Sequence, residues 1–281
     1  MKLIKIMMPI IAILAVGTVW ANNDVKVAEQ HNNEESLDEE NRILYESCIN
    51  LNIGVACNSL GYSYSEGQGV KQDYSKANIY FEKACNLNEG KGCFNLGVFY
   101  AEGIGVKQDY QKANTYYDKA CSLNDGYGCN NLGNLYYNGR DVKQDYQKAN
   151  TYYEKACNLD NGMGCYNLGA IYHQKKQDYS KAKSYYEKAC SLDDGGGCLN
   201  LGFLYANGLG LRQNMSIAVS YFEKSCKLKN NTACNNLGIL YKNGQGVRQN
   251  RTTAKEYYGK ACDLGNQEGC DNYRKLNEQG Y

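Results

Sequence analysis

The 281 residues carry 31 Lys and Arg against 30 Asp and Glu, with 14 Cys and a single Pro. So even a balance leaves no basic footprint for nucleic acid or an anionic membrane. One Pro argues against a loop-rich chain. The many thiols would be hazardous in a reducing cytosol and fit an oxidising compartment.

Lys2 and Lys5, the apolar run from Ile6 to Val16, and the small residues Val19 and Ala21 have the layout of a secretory signal peptide cut after Ala21. The run is too short to span a bilayer comfortably, no second run follows, and no Cys near the cut supports a lipid anchor. Residues 1–21 are therefore assigned to export, to the periplasm or the medium, with no membrane span in the mature chain. Residues 22–40 hold Asp24, Glu29, Glu34, Glu35, Asp38, Glu39 and Glu40 against Lys26 alone. With so little apolar surface to offset ordering entropy, this reads as a flexible acidic leader, a partner-binding tail being the alternative.

Residues 41–281 form one repeating domain. Cysteines come in seven pairs: Cys48 with Cys57, Cys85 with Cys93, Cys121 with Cys129, Cys157 with Cys165, Cys190 with Cys198, Cys226 with Cys234, and Cys262 with Cys270. Their first members are 37, 36, 36, 33, 36 and 36 residues apart. The short interval marks a three-residue deletion between Tyr172 and Tyr179. Within one unit, Cys93, Leu96, Gly97 and Tyr100 make an apolar stripe along a first helix, A. Gly103 and Gly105 break it. A second helix, B, starts near the N-cap residue Asp109 and runs through Ala113, Tyr116, Tyr117, Ala120 and Cys121. Asn124-Asp125-Gly126 ends it. Six full A–B hairpins are predicted, flanked by a lone B helix ending at Cys48 and a lone A helix containing Cys270. Tandem hairpins of this kind stack so that each unit contacts its neighbours.

The recurring pattern L-G-x-x-Y, G-x-G-V, A-x-x-Y-[YF]-x-K-A-C resembles the Sel1-like repeat, a relative of the tetratricopeptide repeat. Paired cysteines in every unit behind a signal peptide further resemble the Helicobacter cysteine-rich proteins. The resemblance implies an all-α fold: a right-handed α/α superhelix (solenoid) of hairpins, each stapled by a disulfide.

Cys85 ends a B helix and Cys93 lies in the first turn of the next A helix. Across a tight turn their Cα atoms can reach the 5–6 Å a disulfide needs. A nine-residue loop closed this way stabilises by roughly 2.5 kcal/mol on the chain-entropy estimate. A metal reading fails for want of close Cys spacing and of histidine, since only His31 and His173 occur. Redox catalysis would want C-x-x-C, which is absent. No metal or cofactor is expected.

The resemblance also implies a β-lactam-binding protein that hydrolyses penicillins or cephalosporins, with a β-lactam or peptidoglycan-derived ligand. S-x-x-K occurs once, at Ser180-Lys181-Ala182-Lys183, where a sister unit has Gln111 and Asn114. S-D-N and K-T-G are absent, so this pair reads as ordinary helix surface and the catalytic residues are unknown.

A different candidate lies two residues after each helix-A cysteine, about 160° away from it around the helix. Those residues are Ser59, Asn95, Asn131, Asn167, Asn200, Asn236 and Asn272. Seven further on come Glu66, Glu102, Asn138, Gln174, Asn207, Asn243 and Gln279. Stacked repeats would align them as a ladder of amides, and amides hold an extended peptide backbone whatever its side chains. Asn95, Asn131, Asn167, Asn200 and Asn236 are the predicted peptide-binding residues, on a concave helix-A face as in related repeats. Against this, the ladder Asn can bond a neighbouring repeat, and Asn138, Asn207 and Asn243 can be helix caps. The pairs Tyr116 and Tyr117, Tyr152 and Tyr153, and Tyr185 and Tyr186 read as repeat packing, a sugar- or base-stacking platform being the alternative, and His173 as a lone surface residue. The N-x-[ST] triplets at Asn214, Asn230 and Asn250 are glycosylation acceptors only in a host with the machinery. An interaction scaffold, the β-lactam enzyme and a purely structural spacer are the readings left open.

Overall fold

The computed structural model describes residues 37–281 apart from Asp141 and Lys176. The signal peptide and the leader up to residue 36 lie outside the described residues. Fourteen α-helices and no strand occur among those described. A lone helix, α1 (Glu39–Ile49), precedes six hairpins. These are α2 (Gly54–Glu66) with α3 (Tyr74–Asn86), α4 (Gly90–Glu102) with α5 (Tyr110–Ser122), and α6 (Gly126–Asn138) with α7 (Tyr146–Asn158). They continue as α8 (Gly162–Gln174) with α9 (Tyr179–Ser191), α10 (Gly195–Asn207) with α11 (Met215–Lys227), and α12 (Asn231–Asn243) with α13 (Arg251–Asp263). A lone α14 (Gln267–Glu278) closes the stack. Each helix packs on the one before and after it, and most A helices also touch the next A helix along, the pair α10 and α12 being the exception. That is a solenoid.

Helix boundaries follow local chemistry. Asp109 is extended and accepts from Lys112 N at 3.0 Å, the cap expected of it. Asp38 does the same for α1 at 2.9 Å, with Glu39 and Glu40 in the first turn against the helix dipole. The last three residues read as leader therefore belong to the first helix. Helix A begins three residues before its cysteine, because Asn88 in the left-handed region (φ 60°) lets Glu89 cap α4 directly. Gln108 returns from the hairpin loop to donate to Ala101 O at 2.7 Å, and Gln72, Gln144, Gln213 and Gln249 repeat the bond in their own loops. These amides satisfy carbonyls that an A helix leaves open at its end.

Close approach within a hairpin rests on glycine. A Cβ on Gly97 would sit 2.4 Å from the Tyr117 ring, so the ring lies flat against the helix backbone. Leu96, Leu132, Leu168, Leu201 and Leu237 fill the space beside it and are nearly fully buried. Each contributes roughly 2 kcal/mol by burial.

All fourteen cysteines are bonded, in the seven pairs expected from their spacing. Cys48 joins Cys57, Cys85 joins Cys93, Cys121 joins Cys129 and Cys157 joins Cys165. Cys190 joins Cys198, Cys226 joins Cys234 and Cys262 joins Cys270. Their Cα–Cα distances run from 4.5 to 4.8 Å, a little shorter than the expected range. Each disulfide joins helix B of one repeat to helix A of the next, so it ties hairpin to hairpin. The helix-A members Cys57, Cys93, Cys129, Cys165, Cys198 and Cys234 are fully buried, because another repeat covers each of them. Cys270, at the open end of the stack, is only half-buried. A further tie runs along the B helices. Lys155 Nζ donates to Cys121 O at 2.7 Å and Lys224 Nζ to Cys190 O at 2.7 Å, each cation sitting at the C-terminus of the previous B helix.

Candidate functional site

Stacking of the A helices brings the predicted amides together, and much of their capacity is spent inside the stack. Asn95 Nδ2 donates to Asn58 Oδ1 of the preceding A helix at 2.8 Å. Asn167 does the same to Asn130 at 2.8 Å, and Asn272 to Asn235 at 3.4 Å. Asn131 accepts from Asn130 at 3.4 Å and meets the Tyr117 hydroxyl, and Asn200 meets the Tyr186 hydroxyl. Burial pushes the Tyr117 hydroxyl up to about 12, the bond with Asn131 holding back part of the rise. Asn236 is the exception: its Nδ2 is buried without a hydrogen-bond partner. The residues seven further on, Glu66, Glu102, Asn138, Gln174, Asn207 and Asn243, are all exposed. Asn138, Asn207 and Asn243 end their helices just before left-handed Gly139, Gly208 and Gly244. The ladder is therefore two rows: a half-buried inner row bonded between repeats, and an exposed outer row at the helix ends.

Between α6 and α8 the rows border a groove of about 290 Å³, lined among others by Asn134, Tyr137, Tyr166, Asn167, Gln174 and Lys175. It lies where the hairpin loop is short. In four other loops the second glycine packs on the start of the preceding B helix, as Gly105 does on Tyr74, and in the third repeat Arg140 lies over the Tyr110 ring instead. In the shortened repeat Lys175 takes that place, its Nζ 3.6 Å from the Tyr146 ring centroid and 4.8 Å from that of Tyr137. This cation over two rings had no signal in the sequence beyond the missing glycines.

Other sequence candidates resolve into packing. Tyr116 stacks on Tyr100 with centroids 5.5 Å apart, Tyr152 on Tyr136 at 5.6 Å and Tyr185 on Tyr172 at 5.5 Å. Lys112 and Lys148 lie over the outer rings of the first two pairs, at 4.9 and 5.1 Å. Tyr117, Tyr153 and Tyr186 are buried. His173 is not a free surface residue. It packs edge-on to Tyr179 and Tyr186, with Nδ1 3.5 Å from the Tyr186 hydroxyl, and burial lowers its pKa so that it stays neutral at pH 7. Asn214, Asn230 and Asn250 are helix N-caps, accepting from Ile217, Ala233 and Thr253 at 3.1, 3.0 and 3.1 Å.

Ser180 is exposed in the first turn of α9, and Lys183 is bonded to Glu187 at 2.6 Å. That carboxylate raises the Lys183 pKa, the reverse of what a base needs. With every cysteine in a disulfide, no thiolate remains to attack a carbonyl or bind a metal.

Helix hairpins in tandem, tied junction to junction and offering one continuous row of A helices, define the class of α-solenoid repeat proteins. Within that class, a family profile described as the Sel1 repeat matches residues 54–89, 90–125, 126–161, 196–230 and 231–266, more than half of the chain. A tetratricopeptide repeat profile matches residues 164–195, across the shortened unit. The chain belongs to the Sel1 repeat family. A Sel1 repeat protein from Oxalobacter formigenes is similar in structure, with TM-score 0.75, 27% identity, and 86% of this chain and 99% of that one covered. So is c5321, a protective antigen of uropathogenic Escherichia coli displaying this fold, with TM-score 0.69 and 25% identity. There the match covers 93% of this chain and 60% of the antigen. Cysteine rich protein B of Helicobacter pylori is 37% identical over 47% of this chain and 98% of its own length, with TM-score 0.39. No curated protein gave a sequence match. Seven disulfides fit an oxidising, extracytoplasmic environment, and no described helix is long and apolar enough to cross a membrane.

Proposed function

We propose that this chain is an exported scaffold that grips an extended polypeptide along the concave face made by its A helices. The observation that carries the reading is the alignment of amides from successive A helices beside a groove that Asn134, Tyr166, Asn167 and Gln174 border. Amides arranged one per repeat match a main chain, which offers a donor and an acceptor at nearly every residue. Sel1 and tetratricopeptide relatives, as repeat scaffolds for proteins and peptides, support the same reading. The partner is an extended peptide or a protein segment presenting one. Among the described residues no side-chain arrangement favours β-lactam hydrolysis.

To test the reading, the oxidised chain is immobilised and used to select from a phage-displayed library of random peptides. Asn131→Ala, Asn167→Ala and Asn200→Ala combined should weaken the selected peptides at least about tenfold, with helical circular dichroism unchanged. Unchanged affinity removes the ladder from the site. Export is read separately, by intact mass of the native protein: a mature N-terminus at Asn22 supports it, and retention of residues 1–21 overturns it.

A further inference from the structure

The inner-row amides obey a pairing rule that one junction breaks. Each ladder Asn has two positions in the preceding repeat that can take its amide hydrogen. One follows the helix-A cysteine; the other is the helix-B ring lying on the helix-A glycine. Asn95 has Asn58 and Phe81 there and donates to Asn58. Asn167 and Asn272 likewise use Asn130 and Asn235. Where the first position is Phe94 or Tyr166, a phenol stands at the second, and Asn131 and Asn200 meet Tyr117 and Tyr186. For Asn236 the two positions hold Leu199 and Phe222, and neither carries an acceptor.

The consequence is visible in the atoms. Asn236 Nδ2 is the one buried side-chain donor without a partner among the described residues; the other buried orphans are carbonyl oxygens of Asn41, Asn78, Asn114 and Asn150. Orphaned donors are the rarer kind, because a nitrogen hydrogen has no second way to be satisfied. Beside it α10, α11 and α12 enclose a groove of about 330 Å³, with Phe203, Met215, Phe222, Ile239 and Leu240 among its walls. The side-chain amide turns on a soft torsion, so it can swing toward the opening at little cost.

We infer that the junction of the fifth and sixth repeats is the anchoring site for the peptide: Asn236 donates to one main-chain carbonyl, and an adjacent apolar side chain of Leu or Phe size fills the groove. This rests on the scaffold reading above and narrows it to one junction. An apolar groove by itself would accept a lipid tail as readily. The unspent donor in its wall selects a ligand with a carbonyl next to an apolar group.

The probe is N-acetyl-leucine N-methylamide, the smallest unit with a carbonyl on each side of an apolar side chain, titrated against the oxidised chain by NMR of the asparagine side-chain amides. A saturable shift of the Asn236 amide, with Asn95 and Asn167 unmoved, is expected. Leu199→Asn supplies the acceptor that three other junctions have, and Phe222→Tyr supplies the alternative phenol. Each should weaken the probe about tenfold, the equivalent of one hydrogen bond, with the rest of the spectrum retained. Two independent substitutions keep the test open should one disturb packing. Shifts at Asn131, Asn167 or Asn200 but not Asn236 overturn this inference and leave the scaffold reading standing. No shift at any ladder amide sinks both, and unweakened binding by the two variants sinks the anchoring site alone.

Discussion

Asp125 shows how a single position carries both a cap and a cost. Its carboxylate accepts from Gly128 N at 2.7 Å and starts α6, yet burial pushes its pKa up despite that bond and Lys91 nearby. Asp194 behaves alike at the start of α10. Three equivalent residues of other repeats, Asn161, Asn230 and Asn266, cap without a charge. The folded-state pKa of Asp125 lies above its unfolded value, so the folded chain holds the proton more tightly. That contribution is present at low pH and lost as pH rises from the unfolded value, about 4, through the raised one. Asp125→Asn should therefore raise urea-unfolding stability at pH 7, with the gain shrinking as pH falls toward 4. A gain that is flat with pH would show that burial of the charge is not its cause. A second position invites the opposite kind of change. Lys229 is held at φ 64°, where its counterparts are Asn88, Asn124, Asp160 and Asp193. Lys229→Gly should stabilise by about 0.5–1 kcal/mol, read as a higher denaturation midpoint.

At the scale of elements, each hairpin is a marginal unit made stable by what joins it to the next. Thirteen-residue helices are short for independent stability in water. The disulfide between α5 and α6 closes a short loop across the junction, so Cys121→Ser with Cys129→Ser should cost about 2.5 kcal/mol in chemical denaturation. Hydrogen exchange should rise first at that junction, leaving α10 to α13 as protected as before. A loss spread evenly over all repeats would mean that the staples act globally. The hairpin interior has its own signature. Gly97→Ala puts a methyl group into the Tyr117 ring with no backbone strain to relieve, and should destabilise by roughly 1–3 kcal/mol through overpacking.

The whole molecule is nearly one-dimensional, since contacts join neighbours and seldom skip farther than the next A helix. A half-repeat flanks the hairpins on either side. Leu276 of α14 is almost fully buried against Tyr258 and Ala254 of α13. Leu276→Ala should cost about 3 kcal/mol locally, seen as faster amide exchange in α13 and α14 with α2 to α5 unchanged. Uniform acceleration along the chain would argue for a single cooperative core. The shortened fourth repeat interrupts the loop edge, and there Lys175 lies over Tyr137 and Tyr146 in place of a loop glycine.

The architecture was legible in the residues because it is periodic. Cysteines, Gly-x-Gly loops and the A-x-x-Y-[YF] stretch recur at fixed intervals, and a pattern repeated along the whole domain overrides the weakness of any one signal. Helix caps at Asp109 and its equivalents, and the cysteine partners from Cys48 with Cys57 to Cys262 with Cys270, are local in sequence and were equally readable. Two things were not. The first helix borrowed Asp38 to Glu40 from a stretch whose composition reads as disordered, since one cap and one dipole interaction outweigh composition at a boundary. The fate of each ladder amide was also hidden, because for Asn95 and Asn167 it depends on residues 37 positions earlier that only stacking brings within bonding distance. Equivalent asparagines in different repeats thus differ in kind. Asn95 and Asn167 are spent on Asn58 and Asn130, while Asn236, for which Leu199 and Phe222 hold the equivalent positions, keeps its hydrogen bond unspent. Helical repeats are specified by near neighbours in the chain, whereas the free valence of a surface is left over from packing and exists only once the repeats are assembled.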